Sequence, residues 1–346
     1  MLDNITVSPS PHISKAHSTR SIMLDVVIGL AFPMVAAVIF FRLQAVYVIA
    51  TCVISCMLTE WICNIIRKKP NTLGDLSAVV TGIILAFSLP ASIPLWAAAV
   101  GGAVAIAIGK MVFGGLGSNV FNPAMVARTF MAASLGGLMV TWTVPATIDA
   151  EMPEIKASVS AEVDAITSVS ADAVTQATPL GWSKQAIKGE AKIENANSLR
   201  IPALWGTVGG CLGETSALAM LLGGAYMLFR KTIVYVIPTA VLGSAAAFAA
   251  IFWAISPEKY ADPLFHLLSG GMLMCAIFIA TDPVTAPLPR KGMWIFGIGI
   301  GVVVVLIRNV GGYPEGVMFA ILLMNALSPL IERMCKLVPS GGKKND

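Results

Sequence analysis

Three groups of residues in this chain have types and spacings that could do chemistry. The first is Asp172-Ala-Val-Thr175-Gln-Ala177-Thr178-Pro-Leu180. Pro179 biases Thr178 toward an extended backbone. The segment therefore predicts an accessible hydroxyl in a polar loop, with Asp172 close by in sequence, where a modifying enzyme could reach it. An ordinary turn in a Ser/Thr-rich loop has the same composition, and residue types alone do not choose between the two. The second group is Gly114-Gly115-Leu-Gly117-Ser-Asn119-Val-Phe-Asn122-Pro123, at the edge of an apolar run. Proline suits the first position of a helix. A helix N-terminus with open amides, flanked by Asn119 and Asn122, would hold a polar ligand; a plain helix-breaking connection is the alternative.

The third group is the charges inside apolar runs: Glu60, Lys110, Arg128, Glu214, Asp282 and Arg308. Charges at membrane depth are expensive and usually functional, although snorkelling accounts for those near a span end. Glu214, between Gly213 and Thr215-Ser216, lies deeper. It is the candidate for coupling to an ion, or else the structural partner of Lys110 or Arg128. Cys52, Cys56 and Cys63 are four and seven residues apart and share one helix face. They could be cluster ligands, but we read them as small apolar residues of a packed span. No phosphate-binding Gly-x-x-x-x-Gly-Lys-Ser/Thr and no His-Glu-x-x-His occurs, and the three histidines form no constellation.

The elements that must position these groups are membrane spans. The chain has 346 residues, of which 56% are hydrophobic and 12% charged, whereas a soluble domain carries roughly 25% charged residues. Much of the outer surface must therefore face lipid. The apolar runs predict an all-α integral membrane protein of about ten helices, at 24–41, 45–66, 76–94, 96–113, 122–143, 204–229, 232–255, 265–281, 292–308 and 315–334. Continuous runs exclude a closed barrel, which shows alternating segments of about ten residues. The polar N-terminal segment has no cleavage pattern, so the first span is expected to be retained. The six cysteines all lie in or beside apolar runs, which suggests no disulfide framework.

Basic residues cluster before the first span (Lys15, Arg20), after the second (Arg67, Lys68, Lys69), the sixth (Arg230, Lys231) and the eighth (Arg290, Lys291), and at the end (Lys343, Lys344). With both termini cytoplasmic all five clusters fall inside, which points to membrane topology and not to nucleic acid. The expected organisation is a cytoplasmic segment 1–23, a first five-helix repeat 24–143, an extracytoplasmic loop 144–203, a second five-helix repeat 204–334 and a cytoplasmic tail 335–346. Thr81–Trp96 parallels Ala280–Trp294, and 114–124 parallels 311–320, with opposite predicted orientation. That is the signature of an inverted five-plus-five repeat with broken helices meeting near the midplane, as urea-transporter-like folds have.

The segment 172–178 resembles the flavin-attachment motif of the RnfD/NqrB family, approximately Asp-x-x-(Ser/Thr)-(Gly/x)-Ala-Thr. GGLGSNVFNPAMVART (114–129), GETSALAMLLGG (213–224), TDPVTAPL (281–288) and NVGGYPEGVMFAILLMNALSPLIE (309–332) resemble the same family, in order, over nearly the whole chain. Gln176 stands where many members have Gly. The resemblance implies FMN joined to Thr178 through a phosphoester, with Asp172, Thr175 and Ala177 as recognition positions. It further implies a non-covalent riboflavin in the membrane part, sought near Asn119, Asn122, Thr281 and Asp282. Chain length and the Thr-Pro-Leu ending look more like RnfD. The implied function is a membrane flavoprotein subunit of an Rnf-type complex coupling electron transfer between ferredoxin and NAD to Na⁺ or H⁺ translocation. The partners would be the other Rnf subunits, including a second covalent-flavin subunit and integral membrane iron-sulfur subunits. NAD chemistry would reside in another subunit. The alternatives are an NqrB-like subunit of a sodium-pumping NADH:quinone reductase and a non-redox channel or transporter on the same scaffold.

Overall fold

A computed structural model describes residues 18–142, 178–189, 191–214 and 216–335, and these are helical through most of their length. Helix α1, Thr19–Ile66, opens at Ser18, whose side chain accepts from the Ser21 N–H at 3.2 Å. Its backbone leaves helical geometry at Arg42 (φ 51°, ψ −135°). The break separates two arms, 19–41 and 43–66, each roughly 35 Å long at 1.5 Å per residue. The first two expected spans fall on these arms. Helices α10 (Val236–Ile255), α13 (Arg290–Asn309) and α14 (Val317–Met334) match three more. Together with α1 they are the four described helices long and apolar enough to cross a bilayer. Large apolar side chains stay exposed along them, among them Val35, Ile39 and Leu43 of α1, Ile251 of α10 and Ile298 of α13. In water that would be costly; in lipid it is the required exterior. The chain is a multi-pass membrane protein.

The other five expected spans are shortened or interrupted. Helix α2 (Ser77–Phe87) ends before Leu89-Pro90-Ala-Ser-Ile-Pro94, where two prolines withhold amide donors. Helix α3 (Leu95–Ile106) continues through a π-helical turn, Ala107–Met111. Gly114, Gly115 and Gly117 then take φ values of 129°, 114° and 90°, conformations that side-chain-bearing residues rarely adopt. Helices α4 (Pro123–Ser134) and α5 (Gly136–Met139) follow. After the polar segment, with α6 (Pro179–Lys188), α7 (Ile193–Ser198) and α8 (Arg200–Trp205), helix α9 begins only at Ala217 and ends at Phe229. The run expected at 265–281 is divided into α11 (Pro263–Leu268) and α12 (Met272–Met274), the latter running into a π-helical turn, Cys275–Ile279. Hydropathy counts side chains and is blind to these backbone breaks.

Irregular backbone at such depth must satisfy its amides within the protein. Here the breaks satisfy one another. The Leu212 N–H donates to Leu89 O at 3.0 Å, the Gly213 N–H donates to Phe87 O at 2.8 Å, and Pro90 and Cys211 form an isolated antiparallel bridge. The end of α2 is thereby tied to the segment leading into α9. A Cβ on Gly213 would stand 2.6 Å from the Phe87 Cβ, so only glycine allows this approach.

Candidate functional site

Every second-cofactor position expected from the sequence lines one cleft of about 740 Å³, part of it open to solvent: Asn119, Asn122, Thr281 and Asp282. Its apolar walls include Val80 and Ile84 of α2, Met227 of α9 and Phe278. An apolar body with few polar groups is what a planar organic ligand requires. The polar groups differ in availability. Asn119 is 5% exposed; its Nδ2 donates to Phe121 O at 3.2 Å, and its Oδ1 finds no partner among the described residues. Asn122, expected to leave helix amides open, closes them instead. Its Oδ1 accepts from the Ala124 and Met125 N–H groups at 3.1 and 3.3 Å, capping α4 behind Pro123. Thr281 Oγ1 donates back to Ile277 O at 2.6 Å. The Asp282 carboxylate accepts from the Val284 N–H and the Thr285 hydroxyl at 3.1 and 3.2 Å. Asn119 is therefore the member whose acceptor has no partner among the described residues.

Asn325 holds this arrangement together and was not legible in the sequence, where it is one polar residue in an apolar helix. From α14 its Oδ1 accepts from the Asn122 N–H at 3.1 Å and its Nδ2 donates to Thr285 O at 3.4 Å. It joins the start of α4 to the turn after Thr281.

Behind the cleft lies a buried ion pair. Lys110 Nζ donates to both oxygens of Glu60 at 2.9 and 2.8 Å and to Ser77 Oγ at 2.6 Å, which uses all three ammonium protons. Ser77 in turn donates to Asp75. Snorkelling does not describe Lys110, Arg128 or Arg308, all of which are buried and bonded. Of the two partners expected for Glu214, Lys110 is bonded to Glu60, whereas the charge of Arg128 does face Glu214. Cys52 and Cys56 face α3, their thiols toward Ala98 O and Gly102 O at 3.8 and 3.5 Å, as packed small residues would.

Thr178 occupies a second, smaller pocket. The expectation of an accessible hydroxyl in an exposed loop is corrected: Thr178 is 8% exposed. Pro179 does hold it extended (φ −67°, ψ 158°), and that geometry makes it the N-cap of α6, its Oγ1 accepting from the Gly181 N–H at 3.1 Å. Asp172, Thr175 and Ala177 lie outside the described residues. Helix α6 is docked and not free. Leu180, Ala186, Ile193 and Ala196 pack with Ala261 and Phe265, and Arg200 pairs with Asp262. Lys184 Nζ donates to Ile307 O and Gly311 O at the C-terminal end of α13, where cations suit the helix dipole. Burial and then the neighbouring Lys188 hold its ammonium below the usual lysine range.

Glu214 lines the Thr178 pocket with Ser269 and Gly270. Its neighbour Glu315 was also missed in the sequence, where it reads as the boundary residue of an apolar run. Glu315 Oε2 accepts from Arg128 Nη2 at 2.6 Å and its Oε1 from the Gly271 N–H at 2.7 Å. Arg128 Nη1 also donates to Cys211 Sγ at 3.4 Å. Single ligand atoms of Cys211, Glu214 and Glu315 all lie within 4.8 Å of one another.

An apolar exterior, broken helices that satisfy one another and buried charges around a cleft define a polytopic membrane protein. Comparison with known proteins makes this specific. Residues 6–341 match the model of the NQR2, RnfD, RnfE family, and the chain belongs to that family. It is 42% identical to the D subunit of the Na(+)-translocating ferredoxin:NAD(+) oxidoreductase complex of Acetobacterium woodii, over 96% of this chain and 94% of that protein. It is 38% identical to the D subunit of the proton-translocating ferredoxin:NAD(+) oxidoreductase complex of Clostridium ljungdahlii, over 98% and 97%. With the D subunit of the ion-translocating oxidoreductase complex of Stutzerimonas stutzeri the identity is 40%, over 92% and 91%.

Proposed function

We propose that this chain is the D-type flavoprotein subunit of an Rnf-type complex, which couples electron transfer between ferredoxin and NAD⁺ to Na⁺ or H⁺ translocation. End-to-end similarity to three D subunits supports the complex. The observation that carries the role of this subunit is the position of Thr178. As the N-cap of a ten-residue helix, its oxygen already faces an N-terminal amide. A phosphoryl group esterified there would meet the positive end of α6, where backbone amides and the helix dipole favour an anion. Ester formation keeps Oγ1 as an acceptor, so the cap survives modification. Asp172, Thr175 and Ala177 would be the positions read by the flavin transferase.

A second flavin, riboflavin, would lie in the cleft between α2, the Asn119–Pro123 segment and the Thr281–Asp282 turn. The orphaned Asn119 Oδ1 would accept from its ring imide and the apolar walls would cover its faces. When bound, these flavins supply one- and two-electron redox chemistry, while the protein supplies position and electrostatics. The residues of this chain hold, orient and shield them.

The proposed architecture is the ten-span inverted repeat, divided at 24–143 and 204–334, in a cell membrane. Both termini are cytoplasmic, and loop 144–203 carries the flavin outside. The packing is alike in the two halves: α1 lies against α2 and α3, and α10 against α11 and α13. The partners are the remaining Rnf subunits, including the second covalent-flavin subunit and the membrane iron-sulfur subunits. Peptide mass spectrometry over residues 157–184 of the native complex tests the reading. One FMN added at Thr178, lost in Thr178→Ala together with in-gel flavin fluorescence, is the expected result; an unmodified threonine overturns it.

A further inference from the structure

We propose that Glu214, Glu315 and Ser269 form a binding site for the translocated monovalent cation, directly beside the flavin-bearing Thr178. The inference rests on the Rnf-type reading and adds the place where the ion is held.

Two carboxyl groups meet here from segments 101 positions apart in sequence, within 4.8 Å. They are not equivalent. Glu315 accepts from Arg128 and the Gly271 N–H and shares a side-chain hydrogen bond with Glu214. Glu214 accepts from the Cys211 N–H at a long 3.4 Å, and among the described residues no ion pair reaches it. An independent observation points to a ligand. Ser269 is 1% exposed, lines the same pocket as Glu214 and Thr178, and its Oγ finds no partner among the described residues. Buried hydroxyls are almost always bonded; this one belongs to a residue that lines the pocket shared by the acid and the attachment threonine. Carboxylate and hydroxyl oxygens are hard donors suited to Na⁺ or to a transferred proton and unsuited to an anion.

The surrounding charges suit exchange more than permanent binding. Arg308 lies behind the site, donating to His266 O and Ser269 O at 2.7 and 3.0 Å. With Arg128 it flanks the two acids. An incoming cation competes with Arg128 for Glu315, and that competition keeps release easy, as transport demands. The titratable groups facing the pair are Arg128, Arg308, Cys211 and Cys275. Both ring nitrogens of His266, the Asn309 side-chain amide and Arg308 Nε are likewise buried without partners among the described residues.

The test uses the whole complex in proteoliposomes, driven by reduced ferredoxin and NAD⁺, with ²²Na⁺ uptake and internal pH recorded per electron transferred. Glu214→Gln is expected to lower the ion-to-electron ratio at least tenfold with FMN still on Thr178 by mass spectrometry. Ser269→Ala, which removes one buried hydroxyl and is expected to fold, should raise the Na⁺ concentration for half-maximal coupling three- to tenfold. If protons are carried, it should shift the pH midpoint of coupling instead. Either shift supports the site and identifies the cation. Unchanged Na⁺ and pH dependence in flavinylated Ser269→Ala, or an unchanged ratio in flavinylated Glu214→Gln, overturns it. An unflavinylated parent complex would instead sink the underlying flavin reading.

Discussion

Replacing Lys110 by methionine isolates the energetics of a buried ion pair at the back of the cleft. Glu60 is 0% and Lys110 2% exposed, and their closest contact is 2.8 Å. At an effective dielectric of about 20, charges at that distance attract by roughly 6 kcal/mol. Removing two ions from water costs several kcal/mol each, so the intact pair contributes little net stability. Breaking it is another matter. Lys110→Met leaves Glu60 buried with only the Thr72 hydroxyl donating to it, and the expected loss is about 3–5 kcal/mol. That is on the order of 10²- to 10⁴-fold in the folding equilibrium. The double variant Glu60→Leu/Lys110→Met removes both charges and should recover most of the loss. The assay is equilibrium unfolding in mixed detergent micelles followed by circular dichroism, with a double-mutant cycle. A single variant within about 1 kcal/mol of the parent, or a double variant no more stable than the single, would refute the reasoning. Lys110 also lines the cleft, so the stable double variant shows separately whether its charge is needed for flavin retention.

Asn325→Leu should cost about 2–4 kcal/mol, since it leaves the Asn122 N–H and Thr285 O unpaired in the interior; thermal melting checks the magnitude, and released riboflavin should accompany the loss. Thr178→Ala removes an N-cap as well as the attachment oxygen and should destabilise α6 by about 1 kcal/mol. Thr178→Asp should restore the cap without restoring flavin, which protease resistance of residues 179–188 and in-gel fluorescence read independently.

The membrane class was legible because lipid exposure must be built from apolar side chains, and composition records that directly. So was the extended backbone at Thr178, because Pro179 acts locally. The breaks at 88–94 and 206–216 were not, because their amides are satisfied by each other across the fold. Charge partners were hidden for the same reason. Lys110 and Glu60 are 50 positions apart and Arg128 and Glu315 187, and nothing local to Glu214 distinguishes those pairings from one with Lys110 or Arg128. The cleft residues were named individually, Asn119 and Asn122 at an expected helix start and Thr281 and Asp282 through the family resemblance. Their convergence depends on Asn325, a contribution from α14 that no local pattern announces.

Helix α2 spans the distance between the two sites. Ser77, Thr81 and Ile84 line the cleft at one end, and at the other Phe87 O accepts from Gly213, the residue before Glu214. Eleven helical residues are about 16 Å of stiff rod. A change in the cleft that shifts α2 along its axis must therefore strain the Phe87–Gly213 contact. Position between two sites is not proof of coupling, but here the contact can be perturbed alone. Gly213→Ala places a methyl group 2.6 Å from the Phe87 Cβ and 3.0 Å from Phe87 O, an overpacking expected to cost about 1–3 kcal/mol. The expected outcome is a joint change: weaker riboflavin retention in the cleft and an altered cation dependence of coupling, in complexes that still carry FMN on Thr178. If only the cation dependence moves, α2 is not the link, and the two sites communicate through another element or not at all.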